Sequence, residues 1–87
     1  MNNKVLIKLI VPELDTTYDV FIPVNELVWK IKKLIIKCIY DLTEGSFPIN
    51  EQYVLLNKDN SYVYKNNELI RTNDIKNATE LVLISCK

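Results

Sequence analysis

The chain has 87 residues, 48% of them hydrophobic, with 11 basic and 11 acidic side chains, a single glycine, two cysteines and no histidine. That length carries one domain spanning 1–87, and the neutral balance argues against general affinity for nucleic acid or an anionic membrane, both of which need a basic excess. The missing histidine removes the usual general base and the commonest metal ligand, one glycine leaves no phosphate-binding loop, and Cys38 and Cys86 are too few for a zinc site or a disulfide framework. The expectation is a protein with no cofactor and no catalytic activity. No stretch approaches the roughly 18 apolar residues of a membrane span. The N-terminal apolar run is interrupted by Lys8 and lacks the form of a signal sequence, so the expected home is the reducing cytoplasm, without membrane insertion.

Residues 4–11 read as a strand with Val5, Ile7 and Leu9 inward and Lys4 and Lys8 on the other face. Pro12 ends it, a turn runs through Asp15, and residues 17–22 form a second strand with Tyr18, Val20 and Ile22 on one face, giving an antiparallel hairpin. Asn25 reads as an N-cap for a helix from about Glu26 to Leu42. Leu27, Ile31, Leu34, Ile35, Cys38 and Leu42 fall on one stripe at helical spacing and are its expected buried face. Gly45 is the expected helix stop. Strands follow over 52–56 and, more briefly, over Ser61–Lys65. Asn66-Asn67 makes a turn, Ile70 and Ile75 are single apolar anchors, and Thr79–Ser85 is the last strand, with Leu81 and Leu83 on one face and Val82 and Ile84 on the other. The most apolar strands lie at the two ends of the chain. Such strands want neighbours on both sides, which predicts a parallel first–last pair in the sheet centre. The expected fold is α+β, ββαβββ, a mixed sheet with one long helix on one face.

This layout resembles the ubiquitin-like β-grasp superfamily over essentially the whole chain. The Asn66-Asn67 turn, Ile70, Ile75 and Leu81-Val82-Leu83-Ile84 follow the spacing of ubiquitin's corresponding turn, core anchors and final strand, and VFIPVNELVWKIKKLI follows its first half. Size and a composition rich in Asn, Ile and Lys, of the kind AT-rich bacterial genomes produce, make the chain most similar to the bacterial YukD/EsaB proteins. Those are ubiquitin-like proteins associated with type VII (WXG100, ESX-like) secretion. Conjugated ubiquitins and sulfur carriers end in Gly-Gly, and this sequence ends Ser85-Cys86-Lys87. The resemblance therefore implies a non-conjugated adaptor or regulator that binds other proteins, secretion components among them. The alternatives are a modifier or sulfur-carrier relative lacking Gly-Gly, and a small nucleic-acid-binding domain.

Two surfaces are candidates for partner binding. On a helical wheel at about 100° per residue, Trp29, Ile36 and Tyr40 fall within about 40° of one another, opposite the expected core stripe, with Lys33 and Lys37 flanking. Aromatic anchors rimmed by lysine suit a protein contact, a helix-to-helix homodimer being one form of it. The competing explanations are that the loop 43–51, through Phe47 and Ile49, folds back over the stripe, or that these are the scattered exposed apolar residues common on protein surfaces. Lys30, Lys32, Lys33 and Lys37 read as a solvated surface, since Lys32 points away from Lys37. The second candidate is the outer sheet face, Leu6, Lys8, Val54 and Ile84. There, Val54 and Ile84 correspond by position to the apolar recognition patch of ubiquitin.

Overall fold

In the computed structural model, which describes residues 4–49, 52–71 and 74–86, the chain forms the element order β1 (Lys4–Val11), β2 (Thr16–Pro23), β3 (Glu26–Leu27), α1 (Val28–Leu42), β4 (Tyr53–Asn57), β5 (Leu69–Ile70) and β6 (Glu80–Ser85). The hairpin forms as its alternation predicts, in unbroken register from Lys4 opposite Pro23 to Val11 opposite Thr16. One turn of 3₁₀ helix, Pro12–Leu14, joins its strands and ends at Asp15, whose φ of 50° lies in the left-handed region that Asp tolerates. Ile7, Leu9 and Val11 from β1, with Val20 and Ile22 from β2, are buried.

The main sheet has the order β2-β1-β6-β4, and β1 lies parallel to β6 with Leu9 beside Leu81. The expected central pairing of the two ends of the chain is therefore present. The approach to it is specific: the Leu6 N–H donates to the Asn77 side chain at 3.0 Å. Ala78, at φ 72°, donates its N–H to the Leu6 carbonyl at 2.8 Å, and the Thr79 carbonyl accepts from the Lys8 N–H at 2.9 Å. These bonds satisfy the β1 edge just before β6 begins.

Two local expectations give way to longer-range structure. Asn25 is not the N-cap. Its backbone is left-handed, at φ 60°, and Glu26–Leu27 pairs with Leu69–Ile70 as a small second sheet, so α1 begins at Val28. The first helical N–H groups are met by backbone carbonyls instead of a capping side chain: Val28 donates to Glu68 at 2.9 Å and Trp29 to Asn66 at 3.1 Å. Nor does Ser61–Lys65 form a strand. Only Val63 makes a bridge, to Leu56, because Ser61 enters it at φ 58° and the Asn66-Asn67 turn follows at once. Tyr64 is nonetheless buried, and its hydroxyl accepts from the Asn57 amide at 3.3 Å.

The helix core face is also rotated from the expected one. Val28, Ile31, Ile35 and Ile39 are fully buried, whereas Leu34 and Leu42 are exposed, Leu27 belongs to β3, and Cys38 is partly buried at the margin. The β-branched residues line the sheet and the leucines look outward. Gly45 does end the helix, at φ 83°, with its N–H on the Tyr40 carbonyl at 2.8 Å. Beyond it Phe47 is buried and stacks on Tyr53 with ring centroids 5.0 Å apart. Positions 50 and 51 of the predicted loop lie outside the described residues. Ile70 and Ile75 are both buried, as expected of core anchors, as are Leu81 and Leu83.

The rotated face can be read out by urea denaturation. Ile35→Ala and Leu83→Ala are each expected to destabilise the fold by about 3 kcal/mol, and Leu34→Ala by no more than about 0.5 kcal/mol. Ala78→Gly relieves a left-handed Cβ and is expected to raise stability by about 0.5 kcal/mol, after the loss to unfolded-state entropy.

Candidate functional site

Helix α1 covers the inner face of the sheet and leaves a cleft along its β4 side. The cleft holds about 480 Å³ and is lined by Trp29, Lys32, Lys33 and Ile36 from the helix, Gln52, Tyr53 and Val54 at the start of β4, and Asn66 and Cys86 at its ends. The periodicity that puts Val28, Ile31, Ile35 and Ile39 on the core places Trp29, Ile36 and Tyr40 roughly 100° away from it. They therefore occupy the helix flank that overhangs β4, and do not lie opposite the core as the sequence suggested. An apolar side chain on that flank is half-covered by the sheet edge, which explains how Ile36 both packs on the core and opens into the cleft.

Trp29 is the most open of the cleft's apolar side chains, 45% exposed, with the Lys30 ammonium 5.6 Å from its ring centroid. Its position is set by the Asn66 carbonyl on its own N–H. The same Asn66 accepts from the Lys32 ammonium through its side chain at 2.7 Å, so one turn residue holds both the start of the helix and the cleft rim. Partial burial holds the Lys32 pKa below the ordinary lysine value, with attraction to Cys86 acting in the opposite direction. Lys33 makes no ion pair among the described residues, whereas Lys30 pairs with Glu26 at 3.6 Å and Lys37 with Asp41 at 2.8 Å. The Asp41 hydrogen bond, and then its charge, raise the Lys37 pKa.

Tyr40 does not line this cleft. The backbone of the helix exit turns against its ring: a Cβ placed on Gly45 would stand 3.4 Å from the Tyr40 hydroxyl. Ile49 instead lines a smaller continuation of about 210 Å³ with Lys33, Ile36 and Lys37. The predicted loop thus covers the Tyr40 end of the stripe and leaves the Trp29 end open. A further depression of about 540 Å³, over Pro23, Glu26, Lys30, Leu34 and Lys37, also has Trp29 and Lys33 in its wall. Lys30, Lys33 and Lys37 therefore share one surface, with Lys33 also bordering the cleft, and Lys32 turns into the cleft.

The predicted sheet-face set does not form one surface. Val54 and Ile84 are a cross-strand pair, and Val54 also borders the cleft. Leu6 and Lys8 lie at the other end of the sheet, with Leu6 about 20 Å from Ile84 along the strands. A charged row intervenes, in which Lys8 pairs with Asp19 at 3.3 Å and Lys58 with Glu80 at 3.7 Å. What continues the Val54–Ile84 pair is the row Ile10, Val82, Leu56 and Val63, which the sequence reading left out. The alternation of β4 and β6 carried that signal, but joining the strands into rows needed the register. Among the described residues no three Cys, Asp or Glu side chains come together as a metal site, and no helix is long and apolar enough to cross a membrane.

No family profile and no curated protein sequence matches this chain. Among solved structures, the N-terminal ubiquitin-like domain of the 4931431F19Rik protein, determined in solution, is similar with a TM-score of 0.71 at 13% sequence identity, over 100% of this chain and 79% of that one. With its hairpin, single crossing helix and parallel first–last strand pair, the chain has the ubiquitin-like β-grasp fold.

Proposed function

We propose that this protein is a binding module that acts by contact with other proteins, catalyses no reaction, and docks its partner in the cleft between α1 and β4. The observation that carries the reading is Trp29, a large aromatic side chain held half in water beside Ile36, Tyr53 and Val54 and beside Lys33, which makes no ion pair among the described residues. The half of the ring left in water adds nothing to the stability of the isolated chain. A partner that buries it gains a desolvated aromatic anchor, the kind of residue that dominates interface energies. The cleft suits a segment with one apolar side chain for the Trp29–Ile36 floor and a carboxylate for Lys33.

The resemblance to YukD/EsaB proteins supports a cytoplasmic adaptor or regulator of a type VII secretion system as the biological setting. The shared fold supports it only at the level of architecture.

Affinity capture from the native host, with mass spectrometry of the bound proteins, tests both parts. The wild-type chain is expected to recover components of the secretion apparatus. Trp29→Ala should weaken capture about 10- to 30-fold, and Trp29→Glu should abolish it, with far-UV circular dichroism showing that both variants fold. Capture of a different set of proteins, still lost in Trp29→Glu, removes the secretion assignment and keeps the cleft. Undiminished capture by Trp29→Glu removes the cleft.

A further inference from the structure

The opposite edge of the sheet is built differently. β2 is an edge strand, paired only with β1. On β1, Leu6 and Lys8 direct their backbone groups towards β6 and the turn before it, so the odd-numbered residues of β1 bond to the even-numbered residues of β2. The N–H and C=O groups of Thr17, Asp19 and Phe21 consequently point outward, and among the described residues nothing meets them. Natural edges are blunted by lysine, proline, a bulge or shortness. This one runs eight residues in continuous register, with no lysine, with one aspartate that is already paired to Lys8, and with proline only at its last position.

Beside that edge lie the three most exposed large apolar side chains among the described residues: Phe21 at 66%, Leu42 at 58% and Leu34 at 55%. Leu34, Cys38 and Leu42 recur every four residues on the α1 flank away from β4. Leu34 and Cys38 share a cleft of about 530 Å³ with Val20, Phe21 and Pro23. What fits a row of alternating main-chain donors and acceptors is another extended main chain.

We propose that β2 pairs antiparallel with β2 of a second copy of this chain about a two-fold axis at Val20, joining the two sheets into one. In this register Asp19 and Phe21 exchange both main-chain bonds with Phe21 and Asp19 of the copy. Thr17 donates to the carbonyl of Pro23, which has no N–H to leave unmet. The alternative register, centred on Asp19, sets two carboxylates directly opposite each other and is disfavoured. With the axis at Val20, each Asp19 keeps its Lys8 partner, and the two Phe21 rings become diagonal neighbours within aromatic reach.

Charge favours a second copy as the occupant. The two-fold places both helices on one side of the joined sheet, antiparallel, which inverts the order of their exposed charges. Lys37 and Asp41 of each helix already neutralise one another, so this pair brings no uncompensated charge beside the Leu34, Cys38 and Leu42 stripes. A formal net charge of zero adds no long-range repulsion between copies. This surface borders the depression whose wall Trp29 shares with Pro23 and Leu34, while the β4 side of Trp29 faces the other way, into the α1–β4 cleft.

Sedimentation equilibrium of the full chain across the micromolar to millimolar range, with residue-resolved amide exchange, tests the proposal. A reversible dimer is expected, in which the Thr17, Asp19 and Phe21 amides gain protection as concentration rises. Asp19→Pro removes one outward donor from each copy without touching the β1 ladder. It should raise the dissociation constant at least about tenfold, while Asp19→Ala, which keeps the N–H, should not. Far-UV circular dichroism checks that both variants fold. If Asp19→Pro fails to fold, amide exchange in the wild-type chain decides alone. A monomer throughout, or a dimer in which those three amides exchange freely, overturns the proposal.

Discussion

The parallel pairing of β1 with β6 is the constraint from which the rest of the structure follows. Parallel neighbours cannot be joined by a tight turn, so everything between them is a crossover. The hairpin extends the sheet on one side of this pair and β4 extends it on the other. The fully buried side chains Ile7, Leu9, Leu81 and Leu83 sit in the two central strands, and α1 is the only helix covering them among the described residues, joined in the core by Phe47, Ile70 and Ile75 from the connections. A single helix is narrower than a four-stranded sheet. It therefore leaves a margin along each flank, where apolar side chains are neither fully inside nor fully out.

Those two margins have different chemistry because the two edge strands differ. On the β4 side, the segment 62–64 bridges the outer half of the strand and Asn66 ties the turn to both Trp29 and Lys32, so main-chain groups there are engaged and the open surface is made of side chains. On the β2 side nothing among the described residues shields the strand, and its main chain is the exposed feature. A side-chain cleft with an aromatic anchor suits a partner chosen by shape and charge. A bare strand edge suits a backbone, which any extended chain could supply and which only the flanking residues can make selective.

The start of α1 shows how far the candidate site depends on distant sequence. A helix leaves its first N–H groups without partners. Here they are met by the carbonyls of Asn66 and Glu68, some forty positions further along the chain. The same contact fixes where the helix begins, aims Trp29 along the β4 flank and places Asn66 as the end wall of the cleft. Helix stability and site geometry rest on one turn.

The four strands of the main sheet, the hairpin, the helix, the left-handed stop at Gly45 and the core anchors Ile70 and Ile75 were legible in the sequence, because alternation, helical spacing and turn chemistry are local properties, whereas the short pair β3 and β5 was not. The stretch Trp29, Lys33, Ile36 was also legible as unusual. Its setting was not, since a helical wheel orders residues round an axis without saying which angle faces the sheet. Two stripes of the helix are apolar, one of leucines and one of β-branched residues, and only packing against β1 and β2 chose Val28, Ile31, Ile35 and Ile39 over Leu34 and Leu42. Likewise the sheet-face set Leu6, Lys8, Val54 and Ile84 shared an orientation without sharing a place. Orientation along a strand follows from its period of two, whereas neighbourhood across strands follows from register, which only the assembled tertiary structure determines.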